Sequence, residues 1–131
     1  MPKNKKRGTN AERELIHMFW AKDWTACRVA GSGSMRYPAP DIIASKKGKI
    51  LAIECKITKN KQKYIKKQEI NALKEYSKKA GAKPLIAIKF PKQEWIFLEP
   101  ESFKETETHY TIETENAKEK GKQINHITKN L

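Results

Sequence analysis

Apolar positions along this chain come in short runs whose spacing switches between a helical and an alternating period. From Arg13 to Trp20 the period is helical, and the preceding Thr9-Asn10-Ala11-Glu12 has the form of a capping box. Trp24 to Ala30 reads as a first strand, and Gly31 to Pro40, rich in glycine, serine and proline, as a flexible connection. Asp41 to Ser45 and Ile50 to Ile57 are short, apolar and β-branched, with a lysine and glycine cluster between them, and predict an antiparallel hairpin. The lysine-rich Thr58 to Tyr64 leads into a helix from Ile65 to Ala80, stopped by Gly81, with Ile65, Leu73, Tyr76 and Ala80 on a partial apolar face and Lys66, Lys67, Lys74, Lys78 and Lys79 on a basic ridge. Two strands follow, Pro84 to Phe90 and Glu94 to Leu98, joined by a turn at Pro91. The tail carries weaker signals for an edge strand at His109 to Glu113 and a short helix at Glu115 to Lys120. This order predicts an α/β fold, a central mixed β-sheet flanked by helices, in one domain over residues 1–131. Residues 1–8 are expected as a basic flexible arm and 104–131 as a C-terminal extension.

The hairpin carries the candidate chemistry. With Lys46 to Lys49 as the loop, Ser45 faces Ile50, Ile43 faces Ala52 and Asp41 faces Glu54. Directly opposed side chains lie roughly 4.5 to 5.5 Å apart at Cβ and share a face. The two-residue period adds Lys56 to that face and turns Leu51, Ile53, Cys55 and Ile57 away. Two carboxylates so close repel unless a cation lies between them, and hard oxygen ligands suit Mg²⁺, with the backbone carbonyl of Cys55 as a further candidate ligand. Lys56 would then orient a water or stabilise charge on a phosphate. The plain alternative is an ordinary salt bridge across a hairpin. Glu12 has two readings, a capping residue or, since it shares a helical face with Ile16 and Phe19, a third metal ligand.

Charge changes the picture further. Lys and Arg number 28 against 15 Asp and Glu, a net +13. From Lys104 onward basic and acidic residues balance, so the excess belongs to the first 103 residues. That excess predicts a polyanion partner, nucleic acid in preference to membrane. Lys59, Lys61 and Lys63 around Tyr64 suit phosphate contacts with a stacking aromatic, and Lys66 and Lys67 continue them. Arg13 points to solvent or DNA, and Arg28 is an edge residue or a phosphate contact. No apolar run approaches a membrane span, and the basic start lacks the apolar stretch of a signal peptide, so a cytoplasmic location is expected. Cys27 and Cys55 lack metal-ligand spacing and read as small buried thiols.

Taken together, Ala11-Glu-Arg-Glu-Leu-Ile16, Arg28-Val-Ala-Gly-Ser32, Pro40-Asp41, Ile53-Glu-Cys-Lys-Ile-Thr58 and Leu85-Ile-Ala-Ile-Lys-Phe90 resemble the PD-(D/E)xK nuclease superfamily, and within it the archaeal-type Holliday junction resolvases. The resemblance implies a restriction-endonuclease-like fold. It also implies a homodimer that nicks opposing strands of a four-way DNA junction with Mg²⁺, or Mn²⁺ in its place. It further implies metal binding by Glu12, Asp41 and Glu54, catalytic support from Lys56 and a loop serine at Ser32, and DNA contacts by Arg13 and Arg28. In-line attack of water leaving a 5′-phosphate and a 3′-hydroxyl follows from the same resemblance. The loop is long here and carries Ser34 as well, so the choice between the two serines stays open. For the dimer interface, the helix Ile65 to Ala80 with the strand Glu94 to Leu98 is the expectation. Gln123 and Ile127 are one position out of step with a sliding-clamp-binding motif, so that partner is not expected.

Two rival functions use the same features: another PD-(D/E)xK DNA endonuclease, of restriction or repair type, or a basic DNA-binding protein without chemistry. The second gains nothing from carboxylates aimed at phosphate.

Overall fold

In the computed structural model, which describes residues 2–31 and 36–129, the hairpin forms the middle of a five-stranded sheet. Its strands are β2 (Ile42–Lys46) and β3 (Lys49–Ile57), preceded by α1 (Pro2–Ala21) and β1 (Thr25–Arg28). The chain continues through β4 (Gln62–Lys66), α2 (Lys67–Ala80), β5 (Lys83–Lys89) and β6 (Ile96–Leu98). The last elements are β7 (Lys104–Glu105), β8 (His109–Glu113), α3 (Thr114–Lys120) and α4 (Ile124–Ile127). The large sheet has the order β1-β2-β3-β5-β6, with β3 and β5 parallel and the other pairs antiparallel. It is the expected mixed sheet with flanking helices.

The predicted register holds: Ile42 faces Ile53, Ile43 faces Ala52 and Ser45 faces Ile50. The loop is tighter than expected. Lys46 pairs with Lys49, leaving Lys47 (φ 49°) and Gly48 (φ 86°) as a two-residue turn. Two consecutive positive φ angles match the turn whose twist suits a hairpin, and the glycine meets that demand without strain.

Each face of the sheet carries its own core. Leu15 and Phe19 of α1 pack with Trp24, Ile42, Ala44, Leu51, Ile53, Leu85 and Phe97, and Cys55 and Ile57 join them. On the other face Ile70 and Leu73 of α2 pack with Ala52, Ile86, Ile88, Ile96 and Leu98. β5, with Leu85 to Ile88 all buried, alternates between the two cores, which is why it reads as a continuous apolar run.

Several expectations change. α1 begins at Pro2, so the backbone of residues 2–8, expected as a flexible arm, is helical, and Thr9-Asn10 does not cap it. Proline fits a first helical turn, and lysine and arginine propagate the helix. The helix expected from Ile65 starts at Lys67, because Gln62–Lys66 is a strand of a second sheet, β4-β8-β7. Ile65 is buried there while Tyr64 and Lys66 face out, and Lys61 accepts hydrogen bonds from the Thr114 backbone N–H (2.7 Å) and hydroxyl (2.8 Å). Cys27 is exposed, since β1 is an edge strand of which only Ala26 is buried. β6 is not a bare edge either: Phe97 exchanges backbone hydrogen bonds with Lys122 (2.8 and 3.0 Å).

Gly121 makes that last contact feasible. A Cβ there would overlap Ile96 and sit 2.8 Å from the Ala117 carbonyl oxygen, with φ at an ordinary −89°. The constraint is space, not backbone conformation. Gly121→Ala is expected to destabilise the fold by about 1–3 kcal/mol through overpacking; a denaturant midpoint equal to wild type would show that the α3–β6 contact yields freely.

Candidate active site

Asp41 stands at the entry to β2, and its backbone is fixed from both sides. Its N–H donates to the Ile53 carbonyl (3.0 Å) and its carbonyl accepts from the Val29 N–H (2.9 Å). Its side chain accepts the Cys55 N–H at 2.9 Å. The ladder ends with Ile42 opposite Ile53, so the expected opposition of Asp41 and Glu54 falls one position beyond it, at a residue whose N–H reaches the Ile53 carbonyl instead. Glu54 and Lys56 project beside α2 from the strand that also pairs with β5.

Asp41 and Glu54 line a cleft of about 600 Å³ with Gln68 and Glu69 of α2 and with Arg36, Tyr37 and Pro38 of the preceding loop. Another cleft, of about 520 Å³ at the hairpin end of the sheet, holds Glu99 as its one acidic residue.

Electrostatics make ionisation of Glu54 costly. Burial, reinforced by the neighbouring Asp41, pushes Glu54 from an ordinary 4.5 to about 8. Lys56 relieves this little, because its amine lies 3.8 Å from Glu54 Oε2 but 2.6 Å from Glu69 Oε1. Burial opposes the charge on Lys56, yet the hydrogen bond and field of Glu69, with Glu54 and Asp41 behind it, hold its amine above the ordinary value. The thiol of Cys55 is pushed far up by burial and the same acids, so it is not a nucleophile here.

Glu12 comes from the other side of the sheet. Its Oε1 is 2.7 Å from the Arg28 Nε, while burial and Asp41 work to raise its pKa against that bond. Arg28, expected as an edge residue or a phosphate contact, is exposed on the edge strand β1 and forms this ion pair with Glu12. Among the described residues no group of three or more His, Cys, Asp and Glu side chains is arranged to hold a metal ion. Asp41 and Glu54 fit one divalent cation, which needs only one or two carboxylates with water completing its shell. Cys55, expected to lend a carbonyl, is seen lending its N–H. Ser32 and Ser34 lie outside the described residues.

Of the remaining candidates, Arg13, Lys59, Lys61 and Lys66 are exposed. Lys67 pairs with Glu105 at 2.9 Å. Lys63 is half-buried, and burial with the neighbouring Lys56 lowers its pKa. Tyr64 is 56% exposed, edge-on to His109. The residue absent from the sequence reading is Glu69. Its signal was the Lys66-x-x-Glu69 spacing, obscured because lysine is not among the usual N-cap residue types; Lys66 is nonetheless the N-cap of α2, and Glu69 accepts its N–H at 3.3 Å.

A mixed sheet between helices, with two carboxylates and a lysine gathered at its central hairpin, defines a restriction-endonuclease-like nuclease fold. The profile of the archaeal Holliday junction resolvase (Hjc) family matches residues 3–131, and the chain belongs to that family. It is 35% identical over 109 residues to crossover junction endodeoxyribonuclease Hjc of Archaeoglobus fulgidus, covering 83% of this chain and 80% of that protein. Hjc of Sulfurisphaera tokodaii is 35% identical over 132 residues, 98% of this chain and 90% of its own. Crossover junction endodeoxyribonuclease Hje of Saccharolobus solfataricus is 39% identical over 101 residues, 75% of each. The 1.6 Å structure of A. fulgidus Hjc, a Holliday junction resolvase, superposes with a TM-score of 0.86 at 31% identity, over 92% of this chain and 99% of that one.

The raised pKa of Glu54 has a consequence for the metal-free protein. Its folded value lies above the unfolded one, so its contribution to stability is present below about pH 4.5 and is lost as pH rises through about 8. Glu54→Gln should remove that loss and stabilise the chelator-treated protein at pH 8 by a few kcal/mol, at roughly 1.4 kcal/mol per pKa unit, with little effect at pH 4.5. Urea midpoints across that range test it; parallel profiles for the two proteins would mean Glu54 ionises freely.

Proposed function

We propose that this protein is a structure-specific endodeoxyribonuclease that resolves four-way DNA junctions by Mg²⁺-dependent phosphodiester hydrolysis, acting as a homodimer that places paired nicks. The observation that carries the reading is the pair Asp41 and Glu54, half-buried in one cleft with the Lys56 amine 3.8 Å from Glu54, in a chain of this family. Relatives named for crossover junction cleavage supply the substrate. A two-fold dimer suits a junction, which presents two equivalent phosphates to two equivalent sites.

Asp41 and Glu54 would hold the ion, with the Cys55 carbonyl as a further ligand and Glu12 joining if Arg28 releases it. The ion, when bound, supplies activation of the attacking water and neutralises charge on the phosphate. Lys56 contributes a cation beside that phosphate. Arg13, Lys59, Lys61, Lys63, Lys66 and Lys67 neutralise the backbone of the junction arms, and Ser32 donates to a phosphate oxygen from its loop. Arg28 acts through Glu12 first and DNA second.

The deciding experiment compares an immobile four-way junction with linear duplex, in Mg²⁺ and in EDTA. Asp41→Asn and Glu54→Gln should abolish cutting while gel-shift affinity for the junction survives. Equal cutting of duplex and junction would move the reading to another nuclease of the superfamily, and binding without Mg²⁺-dependent cutting by wild type would leave only a DNA-binding protein.

Salt dependence separates the basic residues. Arg13→Ala should lower the log-log slope of junction binding against salt by roughly 0.9. Arg28→Ala should slow single-turnover cutting while lowering that slope by less than Arg13→Ala does. A slope change as large as that of Arg13→Ala with wild-type cutting would return Arg28 to the DNA surface.

A further inference from the structure

Glu69 lies two elements away from the carboxylate pair in sequence, yet it lines the same cleft. It occupies the third helical position of α2, where one carboxylate oxygen accepts the Lys66 N–H and the other accepts the Lys56 amine at 2.6 Å. A helix N-terminus favours an anion at that place. The carboxylate is therefore held by the helix start and offers Lys56 a fixed partner. The alternative partner is Glu54, whose Oε2 is 3.8 Å from the same amine. Lys63, half-buried nearby, adds a second positive charge that Glu69 balances.

The consequence follows from competition for one amine. If Glu69 were absent, Lys56 would have Glu54 as its nearest anion, and a direct ion pair between them would occupy the carboxylate that a divalent cation needs. It would also draw the amine away from the mouth of the cleft. We propose that Glu69 is a positioning residue for the nuclease: it holds the Lys56 amine off Glu54, keeping Glu54 available to the metal ion and Lys56 available to the phosphate. This rests on the reading of Asp41, Glu54 and Lys56 as the active site.

The test uses the full chain, with Mn²⁺ titration calorimetry as a readout independent of turnover. Glu69→Ala should weaken Mn²⁺ binding and slow single-turnover cutting by roughly tenfold or more, the scale on which partners behind a metal site act. Junction affinity in EDTA should stay within about twofold, since the substitution removes none of the lysines and arginines that neutralise the junction arms. Glu69→Gln, which retains a hydrogen-bond acceptor for the amine, should restore part of both losses and also serves if the alanine variant folds poorly. In a Lys56→Ala background, Glu69→Ala should leave Mn²⁺ affinity unchanged, because the amine it restrains is gone.

A purely structural role gives a different pattern. Loss of the helix start alone would lower the melting temperature, with Mn²⁺ affinity and rate as in wild type, and that result overturns the proposal. So does an equal loss of Mn²⁺ affinity with or without Lys56. Asp41→Asn separates the two levels: if it still binds Mn²⁺ and cuts, the reading of the site itself fails, whereas a dead Asp41→Asn beside a fully active Glu69→Ala removes only the role of Glu69.

Discussion

The register of the hairpin β2–β3 is the constraint on which the rest depends. Strand side chains alternate between faces, so a one-residue slip would carry Glu54 and Lys56 into the apolar core under α1 and expose Ile53 and Cys55 in their place. The two-residue turn at Lys47-Gly48, with both φ angles positive, excludes that slip. The cores reinforce it, because Leu51 and Ile53 are buried against α1 while Ala52 is buried on the α2 face. Parallel pairing with β5 then gives β3 a second fixed neighbour. The acid pair is thus held by backbone on both edges of the strand and needs no loop to position it.

Within that frame the site keeps an unfavourable arrangement. Asp41 and Glu54 share one end of the sheet with Glu12 behind them, and burial makes each charge costly. The protein answers each acid separately: Arg28 takes Glu12, the Cys55 N–H takes Asp41, and Lys56 is drawn to Glu69. Glu54 is left with the largest unmet demand for positive charge. Groups whose ionisation a folded protein makes this costly cluster at functional sites.

The second sheet and the tail serve the site from outside. β8 pairs with β4 and sets the strand just before α2, while Thr114 ties Lys61 to the C-terminal segment. The start of α2, and with it Glu69, is therefore placed partly by residues that carry no net charge and no catalytic group. Lys122 closes the outer edge of β6, so the C-terminal extension also limits what that edge can pair with.

What the sequence determined by itself was local or strictly periodic. The alternation of Ile42 to Ile57, with its lysine and glycine turn, was enough to set the register of the hairpin and to put Glu54 and Lys56 on one face, because a period of two leaves no other solution once one face is buried. The apolar run Pro84 to Phe90 and the glycine after Ala80 were equally legible. Only the tertiary structure decided the partners of these groups. That Arg28 pairs with Glu12 was not readable until β1 was laid beside α1, and Gln62 to Lys66 looked like a lysine-rich approach to a helix until β8, more than forty residues later, supplied its ladder. Cys27 read as buried because nothing local says that its strand is an edge. Glu69 stayed invisible for the same reason: its significance lies in a 2.6 Å contact with Lys56 across the start of a helix, and distances between elements are set by packing, which no spacing along the chain encodes.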